Sequence, residues 1–167
     1  MIPIDYWIQF FGIWITEGSL TSDGTVSISA HKQPVKDLLE TIVPQMDFKL
    51  SKTWDKSTDS AKHTYRIYNR QLAQYFRPLN SGAHQKYLPD WVWDLPTNKC
   101  KLLITSLCLG DGHVMANGTR RYDTSSSQLA EDFQRLCIHA GWNASITTKY
   151  KAGHTTQIKS RNGIEVN

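Results

Sequence analysis

The feature that most constrains the fold is a nine-residue segment that occurs twice in the chain. The copies occupy residues 10–18 and 104–112, so equivalent residues lie 94 positions apart. Each copy is an apolar run that ends in an acidic residue and a glycine, a pattern typical of a helix and of the residue beyond its end. Similarity at this offset extends over about 35 residues and includes Gly24 and Gly118. The chain is therefore predicted to contain two copies of one structural unit.

Small residues recur four positions apart within each copy. They are Gly12 and Thr16 in the first copy and Ser106 and Gly110 in the second. Residues at this spacing share one face of a helix, and a face of small residues allows two helix backbones to approach closely. The two helices are therefore predicted to pack against each other through these four residues.

This packing would bring the two acidic residues, Glu17 and Asp111, side by side at the helix ends. Neighbouring carboxylates raise each other's pKa unless a cation lies between them, and ligation by oxygen alone suits Mg²⁺. The plainer alternative is that each acid-glycine pair only ends a helix. Two copies in register favour the metal-binding interpretation.

These segments resemble the motif of the LAGLIDADG homing endonucleases, of the type that has two motif copies in one chain and is often found in inteins. In that family the third position is normally glycine, the eighth aspartate and the ninth glycine. Gly12 fits the third position, Asp111 fits the eighth, and both copies end in glycine. Ser106 and Glu17 depart mildly from the pattern, because serine is still small and glutamate is still an oxygen ligand.

The resemblance implies an α+β fold, in which two pseudo-symmetric αββαββ(α) half-domains form a saddle-shaped antiparallel DNA-binding sheet. It implies a Mg²⁺-dependent, site-specific endonuclease that cuts both strands of a long asymmetric DNA target, as the endonuclease part of an intein. Glu17 and Asp111 would act as catalytic metal ligands, with the backbone carbonyls of Thr16 and Gly110, and would hold two or three Mg²⁺ ions at a shared site. Lys86 lies in a Lys-x-x-Pro segment similar to the one that precedes the second motif in intein-type members, where the lysine lies beside the metals. The alternative is that Lys86 is a surface lysine on a loop.

The pattern along the chain predicts a first half-domain at residues 1–80, a linker at 81–96 and a second half-domain at 97–167. Helices are expected at 4–17, 34–45, 71–76, 98–111 and 127–140. Strands are expected at 25–31, 49–54, 63–69, 119–125, 145–150 and 155–161. The counterpart of the 71–76 helix would fall at about the end of the chain, so the second half is expected to lack its closing helix.

Basic residues are concentrated in the predicted strands. The stretches 49–70, 119–126 and 145–161 contain 12 of the 19 Lys and Arg residues but only 3 of the 15 Asp and Glu residues. This bias is typical of a surface that faces phosphates, although a solvated basic sheet is the alternative. Strand alternation and the 94-residue offset predict the DNA-contacting residues: Ser27, Ser29, His31, Arg66, Tyr68, Arg121, Asp123, Ser125, Lys149, Gln157 and Lys159.

Composition excludes several other classes of protein. The chain has 167 residues and a formal net charge of +4, and its three cysteines lack the spacing of a metal site. No segment has the length of a membrane span or the pattern of a signal peptide. We expect a soluble, cytoplasmic monomer that binds double-stranded DNA. The alternative function is a non-cleaving nucleic-acid binder of the same fold, such as an RNA-splicing maturase or a DNA-binding regulator.

Overall fold

The chain alternates helices with antiparallel strands, and the predicted α+β class is confirmed. A computed structural model describes residues 2–54 and 63–149 and the short strands at 158–159 and 165–166. The helices of this described part are α1 (Ile4–Glu17), α2 (Gln33–Gln45), α3 (Arg70–Phe76), α4 (Thr97–Asp111) and α5 (Ser127–His139). Its strands are β1 (Gly18–Leu20), β2 (Val26–Ala30), β3 (Leu50–Trp54), β4 (His63–Ile67), β5 (Gly112–Val114), β6 (Arg120–Tyr122), β7 (Ile158–Lys159) and β8 (Glu165–Val166).

Helix α1 is the centre of the core. It follows Pro3, whose fixed φ suits the start of a helix, and all residues from Phe10 to Thr16 are buried. Its aromatic side chains pack against α3, and the rings of Trp14 and Phe76 stack with centroids 3.8 Å apart. A helix that is apolar on every side requires neighbours on every side, and the first-half sheet, α3 and α4 provide them.

The first half contains a four-stranded antiparallel sheet with the order β1-β2-β4-β3. In β2 and β4, the side chains of Val26, Ile28, Tyr65 and Ile67 are buried in the core. Residues two positions apart lie on the same face of a strand, so the opposite face carries polar residues. The ladder registers place one row of such residues across the sheet, namely Ser19, Ser27, Arg66 and Ser51.

The second half repeats the helix-strand-strand-helix order but departs from the predicted strands. The 119–125 strand is limited to Arg120–Tyr122, which pairs with β5. The prediction of a strand at 145–150 is wrong for residues 145–149, which form no ladder. Ile146, the one apolar residue among them, is 49% exposed, so this segment has no apolar face to bury against a sheet. Of the predicted 155–161 strand, only residues 158–159 are described, and they pair with β8.

The segment that joins the halves is packed onto the body of the protein. It contains three short 3-10 turns, at Arg77–Leu79, Ala83–Gln85 and Asp90–Asp94. The ring of Trp91 lies edge-on to Phe11 with centroids 5.0 Å apart, and its indole N–H donates to the Tyr75 hydroxyl. Trp91 thus packs this segment against α1 and α3. Among the described residues, no helix is long and apolar enough to cross a membrane.

Candidate active site at the paired helix ends

The two motif helices meet through equivalent residues. A Cβ atom built on Gly12 would lie only 2.6 Å from the Cβ atom of Ser106, and one on Gly110 would overlap the side chain of Thr16. Ser106 is the 94-residue equivalent of Gly12, and Gly110 is the 94-residue equivalent of Thr16. A contact between equivalent positions is the property of a two-fold axis.

The same relationship holds at the other end of the helices. Lys99, the equivalent of Asp5, forms an ion pair with it. Contacts between equivalent residues at the start and at the end of both helices require that α1 and α4 run side by side in the same direction. Their C-terminal ends, which carry Glu17 and Asp111, therefore lie next to each other.

The glycine after each acid is required because the chain there passes close to the residue four positions earlier in the helix. Gly18 and Gly112 have extended backbone and begin the first strand of each half. A Cβ atom on Gly18 would overlap Trp14, and one on Gly112 would lie 2.5 Å from the carbonyl oxygen of Cys108. The motif glycine thus allows the chain to turn directly from helix into strand, and it places the acid at this corner.

The corner is electronegative. The C-terminus of an α-helix carries a partial negative charge, and here two such ends and two carboxyl groups come together. Neither helix has a basic residue in its last turn. Glu17 is half-buried and Asp111 is exposed to solvent. Surrounding protein nevertheless removes part of the hydration of the Asp111 carboxyl, and this raises its pKa above the ordinary value; Lys86 and then Lys32 oppose the effect.

Lys86, the lysine of the Lys-x-x-Pro segment, lies at the end of α1. Its ammonium group donates hydrogen bonds to the carbonyl oxygens of Ile15 at 2.6 Å and Thr16 at 3.2 Å. Burial lowers the pKa of Lys86, while the charges of Asp111 and Glu17 act in the opposite direction. The structure therefore places a half-buried cation against the terminal carbonyls of the first motif helix.

Helix α5 holds the segment that carries Lys86. The Ser126 hydroxyl donates to the Lys86 carbonyl at 2.6 Å and accepts from the Leu129 N–H as the N-cap of α5. Two residues further along the linker, the Leu88 N–H donates to the buried Asp132 carboxylate at 2.8 Å. The backbone on both sides of Tyr87 is thus fixed to the second half, while the Lys86 side chain reaches the first.

The corresponding cation at the end of α4 was not predicted from the sequence. It is Lys32, whose ammonium group donates to the carbonyl oxygens of Leu109 at 3.2 Å and of Gly112 at 2.9 Å, and also to that of Gly110. Lys32 is the N-cap residue of α2, a position that favours Ser, Thr, Asp and Asn and that repels positive charge. A lysine at a helix N-cap is the sequence signal that could have identified it.

Of the DNA-contact residues predicted in the first half, Ser27, Ser29 and Arg66 lie on strands of the sheet, whereas His31 and Tyr68 lie one residue beyond the ends of β2 and β4. His31 and Tyr68 are exposed, Ser29 and Arg66 are half-buried, and Ser27 is buried. Because β1 follows Glu17 directly, the polar face of the first-half sheet begins at the acidic corner. A polar surface with a positive charge and a protruding tyrosine therefore extends from the paired helix ends.

The second-half surface is different in structure. Arg121 lies on β6 and donates to the Asp123 carboxylate at 3.0 Å, whereas Asp123 and Ser125 lie beyond the end of this strand. Lys149 is exposed, but the strand predicted to carry it does not form at residues 145–149. Gln157 lies outside the described residues, and for Lys159 only the backbone of β7 is described.

The donor set at the corner consists of oxygen atoms only. Among the described residues there is no group of three or more His, Cys, Asp or Glu side chains that could hold a metal ion. The carboxylates of Glu17 and Asp111 and the carbonyls of Thr16 and Gly110 remain as donors, and a carbonyl oxygen has two lone pairs. This donor set fits Mg²⁺, which keeps several waters and binds through one or two carboxylates.

Comparison with known proteins agrees with this description. Residues 99–164 match the family described as LAGLIDADG-like domain. The fold is similar to that of the homing endonuclease I-DmoI. The crystal structure of I-DmoI in complex with DNA and Mn has a TM-score of 0.59 and 13% identity over 86% of this chain and 81% of that chain. Mesophilic variants of I-DmoI give a TM-score of 0.63 and 12% identity over 89% and 78% of the respective chains.

Two relatives with curated names contain a similar segment. The ATP-dependent Clp protease proteolytic subunit of Chlamydomonas moewusii is 38% identical over 84% of this chain. The DNA-directed RNA polymerase subunit beta C-terminal section of Stigeoclonium helveticum is 28% identical over 95% of it. The chain spans only 14% and 18% of the lengths of these two proteins. The second half of the chain thus matches the LAGLIDADG-like domain family, and the chain as a whole shares the fold of the homing endonuclease I-DmoI.

Proposed function

We propose that the chain is a metal-dependent, site-specific endonuclease that cuts both strands of duplex DNA. The observation that carries this proposal is the meeting of two helix C-termini, two carboxyl groups and two lysine ammonium groups at one corner of a polar sheet face. A protein that only binds DNA gains nothing from two carboxylates placed near phosphates. A nuclease needs both signs of charge, because it must hold a cation and also stabilise negative charge on the reacting phosphate.

The acids would hold the metal in this proposal. Glu17 and Asp111 would each contribute a carboxylate, and the carbonyls of Thr16 and Gly110 complete the donor set, for two or three Mg²⁺ ions in total. When bound, the metal supplies a water of lowered pKa and a Lewis acid for the phosphate. The contribution of the chain itself is to hold the two carboxylates at the ends of two closely packed helices. Lys86 lies beside them and would donate hydrogen bonds to phosphate oxygens.

The polar face of the sheet would select the DNA sequence that is cut. Arg and polar side chains recognise base edges in the major groove, and the first-half face offers Arg66, Tyr68, Ser29 and His31. In the second half, Arg121 is paired with Asp123, so the two halves present different chemistry. We therefore expect an asymmetric target, bound by a monomer.

We also propose that the endonuclease is carried by an element inserted in host genes, such as an intein. The support is that similar segments occur within two proteins whose names describe unrelated activities, and that each segment is a small part of the whole. If so, the preferred DNA site should match a host gene at the point where the insertion is absent. A preferred site unrelated to any such junction would contradict this part of the proposal.

A library experiment tests the proposed activity. The protein is incubated with duplexes of randomised sequence and Mg²⁺, and the new DNA ends are sequenced. We expect ends at one asymmetric sequence, and none with Glu17→Gln, which removes a charge at nearly constant size. Specific DNA binding without new ends would instead indicate the non-cleaving alternative.

A further inference from the structure

Two polar side chains of the second half hold the backbone of the segment that carries Lys86. The Ser126 hydroxyl donates to the Lys86 carbonyl at 2.6 Å, and the Asp132 carboxylate accepts from the Leu88 N–H at 2.8 Å. Both side chains are buried, with exposed fractions of 1% for Ser126 and 7% for Asp132. The segment is therefore fixed on both sides of Tyr87 by contacts in the protein interior.

The equivalent residues of the first half are chemically different. At the 94-residue offset, Ser126 corresponds to Lys32 and Asp132 corresponds to Leu38. The Lys32 ammonium group binds the end of α4 instead, and a leucine side chain has no hydrogen-bonding atom. The contacts with the Lys86 segment are therefore a feature of the second half and not of the repeated unit.

A buried acidic side chain is unfavourable at the place of Asp132. Burial of a carboxyl group costs more free energy than burial of a leucine side chain, and the repeated unit has leucine at the equivalent position, Leu38. The Asp132 carboxylate binds neutral donors, namely the Leu88 N–H and, at 3.0 Å, the Gln128 side-chain amide. Its contribution is therefore a fixed acceptor for the linker.

We propose that Asp132 and Ser126 are positioning residues, which hold the Lys86 ammonium group at the paired helix ends. This inference rests on the proposed endonuclease function, in which Lys86 donates to phosphate oxygens. A lysine side chain is a flexible four-carbon stem, so the place of its ammonium group depends on where its backbone is held.

The contacts of the Lys86 ammonium group show what this positioning achieves. The group donates to the carbonyls of Ile15 and Thr16, and the charges of Asp111 and then Glu17 act on it. It therefore lies between the end of α1 and both acids. A shift of the linker backbone would move the ammonium group away from this place, while the helices and the sheet would stay as they are.

A double-mutant cycle on the cleavage rate tests the assignment. Single-turnover rates on a duplex with the preferred site are measured for the wild type, Asp132→Leu, Lys86→Met and the double variant. Misplacement of a group by about 1 Å can cost about 10²-fold in rate, so we expect Asp132→Leu to slow cleavage about 10- to 10²-fold. Lys86→Met should cost about 10²–10³-fold, as for the loss of one preorganised donor. In that background, Asp132→Leu should cause no further slowing.

A conservative variant and two matched controls accompany the cycle. Asp132→Asn keeps an oxygen acceptor for the Leu88 N–H and should cut at nearly the wild-type rate. Glu131→Leu makes the same change as Asp132→Leu at an exposed position of α5. Lys101→Met makes the same change as Lys86→Met at an exposed position of α4. Both controls should cut as the wild type does.

Further measurements do not depend on cleavage. Hydrogen exchange at the Leu88 amide reports release of the segment, and it should be faster in Asp132→Leu than in the wild type and in Asp132→Asn. Thermal midpoints and DNA affinity in Ca²⁺ report on the fold and on binding. If Asp132→Leu does not fold, Ser126→Gly replaces it in the cycle, because glycine is tolerated at a helix N-cap but lacks the hydroxyl that binds the Lys86 carbonyl.

The outcomes are distinct. Slowing by Asp132→Leu that disappears in the Lys86→Met background, with recovery in Asp132→Asn and unchanged DNA affinity, supports the proposal. Equal slowing in both backgrounds, or wild-type cleavage by folded Asp132→Leu, overturns it while the endonuclease function stands. Absence of cleavage by the wild-type protein in the library experiment overturns the proposed function, and the role of Asp132 with it.

Discussion

The close contact between Gly12 and Ser106 predicts that serine is tolerated at position 12 only when residue 106 is glycine. In Gly12→Ser, the new Cβ atom would lie 2.6 Å from that of Ser106, whereas carbon atoms in contact are normally about 3.5–4.0 Å apart. The helices would have to separate by about 1 Å, and overpacking of this kind costs about 1–3 kcal/mol. For a chain of this size, each kcal/mol lowers the thermal midpoint by about 2–4 °C.

The exchanged protein, Gly12→Ser with Ser106→Gly, removes the 2.6 Å contact between the two Cβ atoms and leaves the 3.3 Å contacts with Leu103 and Leu107. Ser106→Gly alone should cost about 0.5 kcal/mol in helix propensity, and Gly12→Ser regains a similar amount, so the propensities cancel in the double variant. Its free energy of unfolding should therefore lie close to that of the wild type. This expectation follows from the pseudo-two-fold axis, which makes the two positions nearly equivalent in backbone geometry.

The assay is a double-mutant cycle on four proteins, measured by denaturant unfolding. We expect a coupling of at least about 1 kcal/mol in favour of the exchanged protein, since residues in contact couple by about 0.5–3 kcal/mol. Additive effects, with a coupling below about 0.5 kcal/mol, would refute the proposed interface. Plasmid cleavage by the same proteins should recover in the double variant, because the spacing of Glu17 and Asp111 depends on this contact.

Three further predictions concern metal, pH and DNA. Excess chelator should abolish strand scission while DNA binding persists, and Ca²⁺ should support binding with little cleavage; scission in chelator would contradict the proposed mechanism. In chelator at neutral pH, Asp111→Asn should raise the thermal midpoint, because the raised pKa of Asp111 means that folding disfavours its ionised form. That penalty is absent below the unfolded-state pKa of 3.8, so the gain in thermal midpoint should vanish as the pH falls towards this value. An equal gain at acidic and neutral pH would exclude the ionisation of Asp111 as the cause of the gain. Arg66→Ala should weaken specific binding by about 1–3 kcal/mol if the side chain contacts a base, measured against Lys101→Ala as the matched control, and equal affinities for the two variants would place the DNA elsewhere.

Sequence reasoning predicted the first half well because that half satisfies local rules. The apolar run of α1 and the alternation in β2 are each determined by residues close in the chain. The ends of α4 were predicted to within one residue for the same reason. The duplication supplied the long-range information, because two copies of one helix imply the contact between them.

The remainder depended on contacts that no local pattern encodes. Lys32 reaches Gly112 across 80 positions of the chain, and only the packing of α2 beside α4 brings them together. The strand expected at 145–150 has β-branched residues suited to a sheet, yet β-propensity reflects burial and packing of side chains, and the one apolar side chain at 145–149, Ile146, is 49% exposed. In both cases the tertiary environment decided the outcome.

The ion pair between Asp5 and Lys99 has a consequence for the evolutionary history of the chain. In a homodimer of first halves, Asp5 would face Asp5, and in a homodimer of second halves, Lys99 would face Lys99. Such a half-exposed pair contributes little to stability, about 0–1 kcal/mol, but the like-charged alternatives are unfavourable.

Ser106 of α4 also favours the pairing of unlike halves. Two copies of Ser106 would meet where the structure has room for a single Cβ atom, whereas Ser106 facing Gly12 fits. A duplicated ancestor could have paired with its own copy, but these two halves now fit each other better than they fit themselves. Each was then free to change its sheet face independently, without disturbing the pairing that keeps the two acids together.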